Sequence, residues 1–119
     1  MKKILFLLLV SITFISCQDK TATIQVKNML PKAILENIYW GDKYIASQLG
    51  PGQSSQVIHI SGYQMELPAS KPVKFYLNLN GDKVYLETKK SYKVDLEEEV
   101  IILIMDTTQV INPLLEEQQ

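Results

Sequence analysis

No arginine occurs in the 119 residues, and histidine, cysteine and tryptophan occur once each. Without arginine the chain lacks the planar, five-donor group that usually grips phosphate or carboxylate in bidentate fashion. The single cysteine, Cys17, excludes an intrachain disulfide. One thiol and one imidazole, Cys17 and His59, do not supply the three or four closely spaced ligands of a zinc-type site. Long apolar runs are scarce too: the longest, residues 4–15, is about 12 residues, whereas a bilayer core needs roughly 20. Positive charge is also in short supply. Beyond residue 16 there are ten lysines against thirteen acids, a balance that argues against a nucleic-acid partner.

What is present begins with an address. Lys2 and Lys3 precede the apolar residues 4–15, broken only by Ser11 and Thr13, and the small residue Ser16 precedes Cys17. A basic start, an apolar stretch and a small residue before the cut are the three parts of a secretory signal. The tetrapeptide Phe14-Ile15-Ser16-Cys17 resembles a bacterial lipobox, in the looser form of Bacteroidetes-type lipoproteins, with Phe14 where an aliphatic residue is usual. The resemblance implies cleavage before Cys17, a diacylglycerol on its thiol and fatty acyl chains such as palmitate. Two or more acyl chains hold a protein stably on a membrane without spanning it. Gln18 in place of Asp after the cysteine implies the outer membrane, with periplasmic and surface-facing placements both open. The expected organisation is a signal peptide (1–16), a lipidated tether (17–21), a folded domain (22–106) and a flexible C-terminal tail (107–119). The tail includes Leu114 and Leu115, which are able to dock on the domain or on a partner.

The folded part reads as strands. In KPVKFYLNLNGDKVYLETK, Val73, Phe75, Leu77 and Leu79 share one parity, and Asn80-Gly81 turns the chain into Val84, Leu86 and Thr88. Period-two alternation on both sides of Asn-Gly predicts a β-hairpin, since both turn residues accept positive φ. TATIQVKNM, KYIASQL, QSSQVIHI and SYKVDL read likewise. VIILIMD is apolar on both parities, which predicts a strand covered on both faces. PKAILENIYWG is ambiguous, because Ile34, Leu35 and Ile38 fit a helix while Tyr39, Trp40 and the stop at Gly41 favour a strand.

Seven to eight short strands without a long helix predict an all-β fold, a small antiparallel β-sandwich. Leu49-Gly50-Pro51-Gly52-Gln53-Ser54 resembles the strand connection of immunoglobulin-like sandwiches, with Pro51 and Gly52 suited to a type II turn. That likeness implies a fold and no activity.

Catalytic signals are few. Ser55 and His59 are placed on one strand face, but four residues of strand separate them by about 13 Å, too far for a nucleophile and its base. There is no G-x-S-x-G elbow, and Glu97-Glu98-Glu99 lacks the alternation and glycine of a calcium loop, so it reads as a solvated turn. No catalytic residue, metal or cofactor is expected. The candidate binding surface is aromatic: Tyr39, Trp40 and Tyr44 around one turn, then Tyr63 and Met65 in the long connection 61–71. Amphipathic rings stack on sugars and anchor protein partners. Trp40, the only tryptophan, is also read as a residue that closes one end of the core, and that reading is the favoured one. The expectation is a lipid-anchored, non-catalytic binding or accessory module with a protein or glycan partner. The alternatives are a structural lipoprotein of a membrane complex and, less favoured, a small envelope hydrolase.

Overall fold

A computed structural model describes residues 20–116, so Cys17 and the expected signal peptide lie outside the described residues. Ten strands form in chain order: β1 (Thr21–Asn28), β2 (Ile34–Trp40), β3 (Lys43–Leu49), β4 (Ile58–Ser61), β5 (Ala69–Lys71), β6 (Val73–Leu79), β7 (Asp82–Thr88), β8 (Tyr92–Val94), β9 (Glu99–Ile104) and β10 (Val110–Ile111). One helical turn, α1 (Pro113–Glu116), follows. The strands build a three-stranded sheet in the order β4-β1-β9, a five-stranded sheet in the order β10-β7-β6-β2-β3, and a small β5-β8 pair. The fold is the expected all-β sandwich, with more strands than the sequence suggested and one parallel pair, β1 with β9.

Alternation decides which side chains go inside. On β1 the even positions Ala22, Ile24, Val26 and Asn28 are all buried, and on β9 Ile102 and Ile104 join them. The facing sheet contributes Leu35, Ile38 and Trp40 from β2 and Val73 and Phe75 from β6. A one-residue slip of any such strand would turn its apolar set to water, so burial fixes the register. The β6–β7 hairpin turns at Asn80 (φ 55) and Gly81 (φ 93), with Leu79 opposite Asp82. Gly52 (φ 77) supplies the positive φ expected after Pro51.

β2 resolves the helix-or-strand ambiguity. Asn37 adopts φ 49, and the register of β2 slips by one residue against β6 between Glu36 and Tyr39. This bulge inserts a residue, so the buried positions run Leu35, Ile38, Trp40 and mimic a helical three-residue spacing within a strand.

Among the described residues three polar side chains are buried, and each is paired. Asn28 Nδ2 donates to the carbonyls of Ala33 and Leu49, both at 2.9 Å, while its Oδ1 accepts from the Leu30 N–H. Ser55 Oγ accepts from the Val26 N–H at 3.0 Å and donates to the Gln56 carbonyl. Thr88 Oγ1 accepts from the Val73 N–H and donates to the Lys90 carbonyl.

Two expectations change. Residues 107–119 do not form a tail throughout: Val110 and Ile111 pair with Thr88 and Glu87 at the edge of the five-stranded sheet. Their β-branched side chains extend a ladder that β7 leaves open. β9 is covered on one face only, because the outer face of the three-stranded sheet is turned to solvent: Ile101 is 62% exposed and Leu103 40%, as is Met105 just past the strand.

Candidate functional site

The outward face of the five-stranded sheet gathers tyrosines. Tyr44 on β3 pairs with Tyr39 on β2, and Tyr76 on β6 pairs with Tyr85 on β7. Tyr39 stands opposite Lys74, two residues from Tyr76 along β6, so the two pairs are diagonal neighbours at about 7–8 Å. One tyrosine per strand across four adjacent strands makes a stripe about 14 Å wide at the ordinary strand spacing. Four of the six tyrosines of the chain lie on it.

Within the stripe the rings interlock in pairs. Tyr39 and Tyr44 meet edge to face with centroids 5.6 Å apart, and Tyr76 and Tyr85 are tilted at 5.3 Å. Tyr39, Tyr44 and Tyr76 stay open to solvent, whereas Tyr85 is half-buried. The Tyr85 hydroxyl donates to Glu87 Oε1 at 2.8 Å. Burial, then the hydrogen bond and negative charge of Glu87, then the neighbouring Tyr76, push the Tyr85 phenol up to about 12. It therefore stays a neutral donor across the physiological range. Along the flank Glu36 accepts from Lys83 at 3.1 Å and from Asn78 Nδ2 at 3.4 Å. The resulting surface combines ring faces and edges with fixed hydroxyls, one carboxylate pair and lysines at its margin, the composition of an adaptable recognition surface.

The other sequence candidates separate. Trp40 does not belong to the surface: it is wholly buried, and its Nε1 donates to the Tyr92 carbonyl at 3.0 Å, so it closes the core against β8. The inward parity set by the bulge places it there. Met65 packs partly buried against the core. Tyr63 projects from the β4–β5 connection at 85% exposure, but that connection leaves the other sheet and does not join the stripe. Tyr39 and Tyr44 are thus the two sequence candidates that the fold brings together. Tyr76 and Tyr85 were missed, although counting outward from Asn80-Gly81 places them opposite one another.

Ser55 and His59 do not share a face. Ser55 is buried beneath Val26, and His59 is exposed on β4, opposite Thr23. Glu97 takes φ 66 in the turn before β9, and its N–H donates to the Thr21 carbonyl. Its side chain reaches Lys20 at 3.7 Å in an exposed pair, which contributes little to stability. Among the described residues no cluster of three His, Cys, Asp or Glu is arranged to hold a metal. No described helix is long and apolar enough to cross a membrane. No family model, curated protein or solved structure matches the chain.

Proposed function

We propose that the chain is a lipid-anchored, non-catalytic binding module of a bacterial cell envelope, which presents the tyrosine stripe of its five-stranded sheet to a protein or glycan. The observation that carries the binding role is the stripe itself: four tyrosines on four neighbouring strands, three of them open to solvent. Tyrosine offers large contact area at low side-chain entropy cost, and a sheet holds it rigidly. Support for the anchor comes from the signal-like start and from Cys17 at its end. In the outer membrane such a tether would hold the domain at the surface of the bilayer.

The binding role is tested with the double substitution Tyr39→Ser and Tyr76→Ser. Both side chains are exposed on the outer face, so the domain should remain folded by circular dichroism. Co-sedimentation with purified envelope polysaccharide, and crosslinking in cells from a photoreactive residue at position 44, are expected to fall at least tenfold. Retention of both signals would remove the stripe from the binding role. The anchor is tested separately by feeding cells an alkyne fatty acid: wild-type protein should take the label and Cys17→Ser should not.

A further inference from the structure

The two ends of the sandwich differ. β1 runs between β4 and β9, and its first residue, Thr21, pairs with Ser61 at the end of β4 and accepts from the Glu97 N–H. At its other end Asn28 holds the carbonyls of Ala33 and Leu49, next to the start of β2 and at the end of β3. The Gly41-Asp42 turn, at the opposite end of β2 and β3, therefore lies at the Thr21 end. The Asn80-Gly81 turn follows Asn78, which pairs with Ile34 at the start of β2, and so lies at the far end.

The β5–β8 ribbon closes the Thr21 end as a floor. Trp40, the last residue of β2, donates to the Tyr92 carbonyl, and β8 reaches across to β1 and β9 of the other sheet. Val94 is wholly buried, whereas Ser70 and Lys93, paired across the ribbon, are exposed. Beside the floor projects Tyr63, the most exposed large apolar side chain among the described residues at 85%. It sits at the tip of a turn pinned from both sides: the Gln64 N–H donates to the Ser61 carbonyl, and the Ser61 N–H donates to Gln64 Oε1. A rigidly presented tyrosine with no protein cover suits the boundary between lipid headgroups and water.

We infer that this end rests on the phospholipid bilayer, with Tyr63 in the headgroup layer and the Asn80-Gly81 turn pointing away from it. The inference rests on the proposed lipid anchor at Cys17. Three residues separate Cys17 from Thr21, and an extended chain advances at most about 3.6 Å per residue, so the start of β1 stays within about 14 Å of the anchored residue. The far end stands about 20 Å higher, the length of the seven-residue strand β6. Lysines and acids share the floor, Lys90 and Lys93 against Glu97 and Glu98, so the short tether and not charge brings it to the lipid. Lying flat on the outer face of β4-β1-β9 would press Gln25, Lys27, His59 and Glu99 toward the hydrocarbon along with Ile101, at a desolvation cost the upright posture avoids.

The test uses the full, lipidated chain in phosphatidylcholine vesicles that contain a lipid with a nitroxide on its headgroup. Four exposed positions are changed singly, Tyr63→Cys, Tyr76→Cys, Asp82→Cys and Ile101→Cys, and each variant is labelled with a thiol-reactive fluorophore after circular dichroism shows it folded. Quenching at 63 is expected to exceed that at 82 at least threefold, with 76 and 101 between them. Quenching at 101 equal to that at 63 would mean that the domain lies on its three-stranded sheet, and equal quenching at 76 that it lies on the tyrosine stripe. Either result, or no difference among the four positions, would overturn the inference while leaving the anchor intact. Wild type separates the two readings, because its single thiol is Cys17. It should take no label when that thiol carries lipid; a wild-type chain that labels and fails to float with the vesicles would overturn the anchor, and the upright posture with it.

Discussion

Asn28 occupies an inward position on β1 where the alternation calls for an apolar residue, and it ties three chain segments together. Replacement by Ala would leave the Ala33 and Leu49 carbonyls and the Leu30 N–H without their partner. A buried group left unsatisfied costs about 1–3 kcal/mol, so Asn28→Ala should lower the urea midpoint by at least that equivalent. Asn28→Asp should cost more at neutral pH, because an oxygen would then face two carbonyl oxygens. A midpoint within error of wild type for both variants would contradict this role. Tyr85 supplies a pH signature. Its phenol is raised from 10.0 to about 12 in the folded chain, so the folded state keeps its proton where the unfolded state loses it. The stabilisation is complete below pH 10 and disappears as pH rises from 10 toward 12. Denaturation across that window should show stability falling with pH, and Tyr85→Phe should flatten the fall. Burial raises the Tyr92 phenol in the same direction, so a residual slope is expected in the variant.

At the scale of elements, the strands were mostly legible and their irregularities were not. Asn80-Gly81 marks its hairpin because few other residues accept two successive positive φ values, and Val73 and Phe75 face inward as their parity requires. The bulge at Asn37 has no comparably sharp signal: asparagine is common in many turns, and the three-residue spacing of Leu35 and Ile38 imitates a helix. Yet the bulge decides which of Tyr39 and Trp40 faces solvent. A left-handed backbone conformation costs a β-branched residue roughly 1–2 kcal/mol, so Asn37→Val should destabilise by about that amount while Asn37→Gly is tolerated. Thermal denaturation of the two variants checks this; equal melting temperatures would mean that the strain is relieved elsewhere. The segment VIILIMD also misled for a physical reason. Two apolar parities announce that both faces of a strand are meant to be covered, but sequence does not say whether the cover belongs to the same chain.

For the molecule as a whole, alternation identified a sandwich but not its strand order. Tyr39 with Tyr44 was visible as a neighbour pair in the sequence, and Tyr76 with Tyr85 follows from the hairpin. Their union on one face depends on β2 lying beside β6, a long-range pairing that no local pattern encodes. The parallel partnership of β1 with β9 is of the same kind. It also orders events in time. The first strand to leave a ribosome, or to emerge from a membrane channel, gains its parallel partner only once nearly the whole chain has followed. Were the chain carried across a membrane, as the proposed lipid anchor requires, that delay would leave its leading strand without its parallel partner until most of the chain had passed.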